Sequence, residues 1–414
     1  MRRGTSSFFA GFMGFLLLSG CTARDSTLER EDLFTLDIGR LEGGIDLYSD
    51  LALREGQKSS IAMTDGLFYI TNSTGRKITR YNSYGDLLFM IYNEETNPPL
   101  LDLQAIDGMT QAITRWAIAY PLQSPGAIAI DSQKNIFVAD RLTSDRYRYD
   151  KETDILYDTL LLHFDANGQF VEYLGRQGKG GSPFPYIERI YLSQNDDIVV
   201  VSKTGSDYIV YWFSSNGILQ HEMLFKNDDM PIPENGLSVP ERGLSVPDKH
   251  EKLLVSLDGI AIAPDEKIIY VKTDYYREIF DETTGILSGS VPEGCSLWLF
   301  SVDGNGYIDE MNIPFYENSA TINGRRGNET LFYTMLGVLE NREAVFFFPA
   351  ANGYSILSLN AGEPTRQRKR GFIDVSAEEL EYSDFHLSSN GIISALLSTE
   401  WEARVVWWRT DMLK

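Results

Sequence analysis

Short runs of apolar and β-branched residues recur along the whole chain, and each run is bounded by a tight polar turn. The runs at 67–71, 136–140, 198–202, 268–272, 344–348 and 392–397 are rich in Val, Ile, Phe and Tyr, as β-strands are. Three pairs of turns, at 65–66 and 84–85, 196–197 and 216–217, and 341–342 and 361–362, are each about 20 residues apart. The pattern predicts one four-strand unit that is repeated.

Repetition of a four-stranded sheet is typical of a β-propeller, in which each sheet buries its faces against its neighbours around a central axis. We therefore predict an all-β fold, a propeller of six blades with seven as the alternative, formed by a single domain at 31–414. The innermost strands are predicted at 59–63, 126–131, 187–193, 259–263, 331–339 and 385–388. The sixth unit ends after three strands, so residues 34–38 are predicted to supply its outer strand and close the ring. The alternative is that 34–38 form a loose N-terminal arm.

The first 20 residues have the character of a secretory signal. Arg2 and Arg3 precede an apolar run that is shorter than the roughly 18 residues needed to cross a bilayer. The sequence Leu-Ser-Gly-Cys that ends at Cys21 resembles a bacterial lipobox, which implies that the thiol of Cys21 carries a lipid and that residues 21–30 form a tether. We expect an exported protein that is anchored to a bacterial membrane by its N-terminal lipid, with the membrane and its leaflet left open.

Composition narrows the range of partners. The net charge is −22, which argues against a nucleic-acid partner, because binding a phosphate backbone depends on Lys and Arg. Cys21 and Cys295 are the two cysteines of the chain, so lipidation of one leaves no intramolecular disulfide. No cofactor is predicted, and no catalytic residue, since the four histidines are scattered and no nucleophile motif accompanies them.

Residues 125–184 resemble an NHL repeat. The resemblance rests on Pro-Gly-Ala-Ile-Ala-Ile-Asp at 125–131, Asn-Ile-Phe-Val-Ala-Asp at 135–140, Phe-Asp-Ala-Asn-Gly at 164–168 and the Gly-rich stretch from 174 to 184. Together with the lipobox, the chain is similar to the NHL-like six-bladed propeller lipoproteins of spirochaetes. That resemblance implies a membrane-anchored propeller.

The long insertions are predicted to share one face of the propeller. Residues 93–124, 225–256 and 314–330 connect blades, and 141–159 and 273–295 connect second and third strands, which open on that same face. Residues 100–117 have the apolar spacing of a helix that would cap the channel. A seven-residue tandem copy at 236–249 indicates an exposed loop. Long loops are commonly functional, so this face is the predicted binding surface.

Two insertions supply the candidate ligand contacts, since exposed Tyr and Arg are frequent at contact surfaces. Packing of these rings against their own loops is the alternative. The candidates are Asp140, Arg141, Tyr147, Asp274, Tyr275, Tyr276 and Arg277.

A metal site is a weaker prediction. The segment that contains Asp303, Asn305 and Asp309 resembles part of an EF-hand loop, although a recurring hairpin turn explains it without a metal. Some six-bladed propeller hydrolases bind Ca²⁺ in the channel, which by resemblance draws attention to the following carboxylates. These are Asp131, Asp140, Glu188, Asp258 and Asp274.

The sequence thus favours a lipid-anchored, non-catalytic propeller that binds a protein, peptide or cell-envelope ligand through its loop-rich face. A Ca²⁺-dependent hydrolase is the alternative function. A purely structural envelope component is a third.

Overall fold

The computed structural model describes residues 26–48, 57–105, 115–233, 253–281, 283–322, 325–350, 352–361 and 368–414. The predicted signal segment, Cys21 and the tandem copy at 236–249 lie outside these residues. Within the described ranges the protein is a ring of six small antiparallel sheets, so the prediction of an all-β, six-bladed propeller is confirmed.

The strands follow one another blade by blade. The N-terminal segment contains β1 (Ser26–Thr27) and β2 (Glu31–Asp37). Blade 1 contains β3 (Ile61–Thr64), β4 (Leu67–Asn72), β5 (Lys77–Asn82), β6 (Leu87–Tyr92), β7 (Gln104–Ala105) and β8 (Trp116–Ala119). Blade 2 contains β9 (Pro125–Ile130), β10 (Ile136–Arg141), β11 (Arg148–Asp150), β12 (Ile155–Tyr157), β13 (Thr159–Phe164), β14 (Phe170–Gly175) and β15 (Gly178–Lys179). Blade 3 contains β16 (Tyr186–Leu192), β17 (Ile198–Thr204), β18 (Asp207–Phe213) and β19 (Leu219–Phe225).

The second half of the ring follows the same plan. Blade 4 contains β20 (Leu253–Ile262), β21 (Ile268–Phe280), β22 (Leu287–Ser301) and β23 (Gly306–Asn312), and the hairpin β24 (Tyr316–Ile322) and β25 (Arg325–Leu331) follows it. Blade 5 contains β26 (Thr334–Val338), β27 (Glu343–Ala350), β28 (Gly353–Asn360) and β29 (Arg368–Asp374). Blade 6 contains β30 (Tyr382–Leu387), β31 (Ile392–Ser398) and β32 (Glu402–Arg409). Short 3-10 helices are formed by Ser144–Arg146, Asn227–Asp229, Ala377–Glu379 and Thr410–Met412. No helix in the described ranges is both long enough and apolar enough to cross a membrane.

An N-terminal strand closes the ring, as predicted. Strand β2 pairs antiparallel with β32 and forms the outer strand of blade 6, with Leu36 opposite Ala403. The strand begins three residues before the predicted range of 34–38. Pairing with β2 removes the open sheet edge that the last blade would otherwise present.

The predicted tether at 21–30 is too long. Ser26 and Thr27 pair in parallel with β29 at the outer edge of blade 5, and Leu28 is 2% exposed in the core between blades 5 and 6. Arg30 then binds the buried carboxylate of Glu379, with a distance of 2.6 Å between Arg30 Nη2 and Glu379 Oε1. The polar composition of 22–30 concealed one apolar anchor and one ion pair, so the folded body includes Ser26 and the residues after it.

The apolar core lies between the blades. Six clusters of buried residues in the described part of the chain occupy the six junctions from blade 1–blade 2 round to blade 6–blade 1. The cluster at the closing junction joins Leu36 of β2 and Val405 of β32 to Ile61 and Phe68 of blade 1. Each sheet is therefore covered on both faces by its neighbours.

The two faces of the ring differ in their connections. We call the face with the connections between first and second and between third and fourth strands the turn face. We call the opposite face the loop face. Connections on the turn face are no longer than the seven residues at 361–367, whereas every long insertion opens on the loop face.

Two predictions about the insertions are wrong. Residues 273–295 are mainly strand, because β21 and β22 run on past the body of blade 4 as a projecting hairpin. The helix predicted at 100–117 is absent from its described parts, 100–105 and 115–117. Those parts instead supply β7 and the start of β8, which lie at the outer edge of blade 1, away from the channel.

The closing junction yields a direct test. Substitution of Leu36, which is 4% exposed, by Ala removes buried apolar contacts, and we expect the free energy of unfolding to fall by about 2–5 kcal/mol. The same substitution at Leu41, which is 60% exposed, is the matched control and should change it by less than about 0.5 kcal/mol. Urea unfolding measures both, and equal effects would show that β2 is not part of the ring.

Candidate functional site

The blade 2 candidates form a network at the loop face. Asp140, at the end of β10, accepts hydrogen bonds from the backbone amides of Gln123 and Ser124 at 3.1 and 2.7 Å, so it ties the connection before β9 to the end of β10. Burial raises the pKa of Asp140 to about 7, although these amides oppose the shift. The Nε of Arg141 donates to Asp158 at 2.7 Å, and its guanidinium lies 5.1 Å from the centre of the Tyr147 ring.

The acidic candidate of blade 4 is part of a buried ion cluster. The Nζ atom of Lys272, which is 0% exposed, lies 2.7 Å from Asp274 Oδ1 and 3.0 Å from Asp258 Oδ2. Burial raises the pKa of Asp274, and the charge of Lys272 opposes that shift. Burial also raises the pKa of the neighbouring Cys295 thiol, so this thiol is held in its neutral form. Both carboxylates already have a cationic partner.

The three remaining blade 4 candidates have different environments. Tyr275 is 0% exposed, donates to the carbonyl of Pro231 at 2.7 Å and accepts from Trp298, so it belongs to the interior and is not a surface contact. Tyr276 packs edge-on against Phe332. Arg277 pairs with the other strand of its own hairpin, through Glu293 at 3.2 Å. The predicted ligand contacts thus fall into two patches, on blades 2 and 4, with blade 3 between them.

The EF-hand-like segment does not form an oxygen cage. It is the turn between β22 and β23, where the carboxylate of Asp303 faces Lys267 Nζ at 3.5 Å and His221 Nε2 at 3.8 Å. Asn305 has a positive φ of 47°, as a tight turn requires, and Asp309 accepts from the amide of Glu310. The hairpin explanation accounts for these positions.

Apart from Asp258 and Asp274, the channel carboxylates are held by different partners. Asp131 accepts hydrogen bonds from the amides of Gln133 and Asn135 within the β9–β10 turn, on the turn face. Asp258 and Asp274 share Lys272. The described residues contain no group of three or more His, Cys, Asp or Glu side chains that would hold a metal ion.

Sequence reasoning missed a set of polar side chains on the innermost strands. Asp384 of β30 is 2% exposed and accepts from Lys58 Nζ at 3.0 Å and from the amide of Ile61 at 2.9 Å, which joins blade 6 to blade 1. Arg189 of β16 and His386 of β30 line a central channel of about 410 Å³ to which all six innermost strands contribute. The signal in the sequence was a charged residue inside a strand predicted to crowd the axis.

The two channel residues have contrasting charge states. Burial opposes the charged form of Arg189, but the negative charges of Asp384 and Glu188 outweigh that cost, so the pKa of the guanidinium is raised. Burial lowers the pKa of His386 to about 4 despite the nearby carboxylate of Asp384. The channel therefore presents a cation beside a neutral imidazole at neutral pH.

Comparison with known proteins does not assign the chain to a family. No protein-family model matches, and no curated protein matches. Among solved structures, it is similar to the polysaccharide lyase Uly1, with 11% identity, a TM-score of 0.44, and coverage of 92% of this chain and 99% of that one.

Two further similar structures are propellers of different character. The calcium-binding protein regucalcin from Agrobacterium tumefaciens has 9% identity and a TM-score of 0.37, with 93% of this chain and 96% of that chain covered. The β-propeller domain of the Trilobed protease from Pyrococcus furiosus has 7% identity and a TM-score of 0.36, with 86% and 84% covered. The assignment of the fold rests on the strand order of this chain. Its function must be inferred from its own residues.

The lowered pKa of His386 predicts how the free energy of unfolding depends on pH in acid. As the pH falls from 6.5 towards 4, the unfolded chain binds a proton at residue 386 that the native state does not bind. We therefore expect His386 to cost the native state roughly 3 kcal/mol over that window, with no further loss below it. Urea unfolding at about pH 7.5 and about pH 4.5 should show a smaller difference for His386→Gln than for the natural protein. An unchanged difference would contradict the assignment.

Proposed function

We propose that this protein is an exported lipoprotein that is anchored to a bacterial membrane through Cys21. In this proposal it acts as a non-catalytic propeller scaffold, of the NHL-like type found in spirochaetes, and binds a protein, peptide or cell-envelope ligand with its loop face. The lipobox supports the proposed membrane anchor, and the NHL-like pattern at 125–184 supports the proposed type of propeller.

The observation that carries the binding role is the tip of the β21–β22 hairpin. The hairpin extends from the loop face beyond the pairing of β20, which ends opposite Arg277. At its tip Ile279, Phe280, Ile286 and Leu287 are 38, 53, 66 and 51% exposed. Four large apolar side chains gathered on a projection are costly to leave in water and are typical of a contact surface for another molecule.

A pocket of mixed polarity on the same face offers a second contact region. It lies between blades 2 and 3 and has a volume of about 820 Å³. Its lining includes Arg141, Asp158, Tyr186, Lys203 and Asp207. Side chains of both charges beside an exposed tyrosine suit a peptide or a polar envelope component better than a purely apolar ligand.

The path of the N-terminus supports presentation of the loop face to a partner. Ser26 lies beside β29, and its hydroxyl donates to the carbonyls of Arg370 and Met412 near the turn-face end of blades 5 and 6. Four residues separate Cys21 from Ser26, a span of about 18 Å at full extension. A lipid on Cys21 would therefore hold the turn-face rim near the membrane and leave the loop face pointing away from it.

The pairing of the acidic residues favours binding over the Ca²⁺-dependent hydrolase. A Ca²⁺ site requires several oxygen ligands directed at one point. At the loop-face end of the channel, Asp258 and Asp274 instead contact Lys272, and Asp384 contacts Lys58.

The hairpin tip can be tested by matched substitutions. Affinity capture of the lipidated protein from its own membranes, with quantitative mass spectrometry, should lose its specific partner when Ile286 is changed to Ser, because the apolar contact is removed. Ile218, which lies on the turn face and is likewise 66% exposed, is the control, and Ile218→Ser should retain the partner. Equal recovery with both variants would place the contact elsewhere.

Lipidation can be tested with the other cysteine as control. Labelled palmitate should be incorporated into the natural protein and into Cys295→Ala, since Cys295 is buried. It should be absent from Cys21→Ala, which should also leave the membrane fraction. Label retained in Cys21→Ala would overturn the proposed anchor.

A further inference from the structure

The central channel has the construction of a small-molecule site. Its volume is about 410 Å³, and its wall mixes polar groups with apolar side chains of the inner strands. The apolar side chains include Ala62, Ala127, Ala129, Leu336, Val338 and Phe385. Asp65 and Asn390, which also line it, lie in turn-face connections, so the cavity reaches that face. A concave wall that combines apolar side chains with placed polar groups is typical of ligand sites.

Arg189 is the one cation in the lining, and it has no hydrogen-bond or ion-pair partner among the residues that the structure describes. Arg189 is enclosed by the surrounding blades, and its side chain is accessible through the channel that it lines. An arginine presents several N–H donors in a planar fork that matches a carboxylate. Leaving those donors without a protein acceptor inside a cavity reserves them for water or a ligand.

A second polar group without a partner lies across the channel. The Nδ1 atom of His386 is buried and makes no hydrogen bond. His386 belongs to blade 6 and Arg189 to blade 3, which are opposite one another in a ring of six. That nitrogen has no surface open to the channel, so a ligand there would contact Arg189 and not this atom.

Among the described residues, no carboxylate near the channel forms an ion pair with Arg189. Asp384 is held by Lys58 and by the amide of Ile61, and it does not line the cavity. Asp65, at the turn-face end, pairs with Lys134, and Glu340 accepts from Ser389. One unpaired cation beside apolar side chains matches one negative charge on a body that is at least partly apolar. A phosphate group, with more charge, would need further cations.

We propose that the channel binds a small monocarboxylate with an apolar body, whose carboxylate is held by Arg189 and whose access is from the turn face. The site is separate from the loop-face contacts, so it does not depend on the proposed partner. Nor does it depend on the lipid anchor.

Calorimetric titration of the folded protein with benzoate and hexanoate, and with the uncharged benzamide and hexanamide, tests this site. We expect saturable binding of at least one acid with one site per chain and no binding of its amide. Arg189→Gln should weaken that binding about tenfold to a hundredfold, because hydrogen bonds to a charged group are lost. Arg189→Lys keeps the charge without the fork and should bind with intermediate affinity.

Arg409→Gln is the matched control, since Arg409 is exposed and pairs with Asp411 outside the channel. It should bind the acid as the natural protein does. Circular dichroism and thermal melting establish that each variant is folded, and Arg189→Lys provides the test if Arg189→Gln is not. Failure of both acids to bind the natural protein, equal binding of acid and amide, or undiminished binding by the folded Arg189 variants would each overturn the proposal.

Discussion

Burial of apolar surface between neighbouring blades is the interaction on which the rest of this structure depends. A single four-stranded sheet of this size cannot cover its own faces, and the buried residues of this chain collect at the six junctions between sheets. Every sheet of a ring is covered on both faces only when the last junction is closed. That requirement explains why a strand from the N-terminal segment completes blade 6 and why Asp384 joins blade 6 to blade 1.

Closure also divides the molecule into a constrained face and a variable face. Turn-face connections are hairpins whose lengths are fixed by strand pairing, with glycines such as Gly217, at a φ of 73°, where the backbone requires them. Loop-face connections are free to lengthen, because the junctions beneath them remain packed. The projecting β21–β22 hairpin and the pocket between blades 2 and 3 occur on that face.

Sequence patterns predicted the strands well because their spacing follows from the packing itself. The run predicted at 136–140 lies within the observed strand Ile136–Arg141, and the closing strand begins three residues before its predicted start. The projecting part of β21 and β22 was missed because beyond the neighbouring strands no periodic burial constrains its composition. Tyr275 was placed on the surface for the same reason, although the continuing strand carries it into the interior.

The candidate site was less predictable than the fold. Residues 140–147 and 274–277 were each found locally, but their separation by blade 3 follows only from the ring. Arg189 and His386 are far apart in the chain and share no motif, and they meet only because opposite blades face one axis. A local sequence pattern predicts the strands of a blade. It does not predict which side chains of different blades will face one another across the channel.

Native-state hydrogen exchange of the β2 and β32 amides tests ring closure most directly. If the N-terminal strand is an integral part of the propeller, its amides should exchange only through global unfolding, with the same protection as the central strands of the blades. Rapid exchange of β2 while β32 and its neighbours remain protected would contradict a ring closed by that strand.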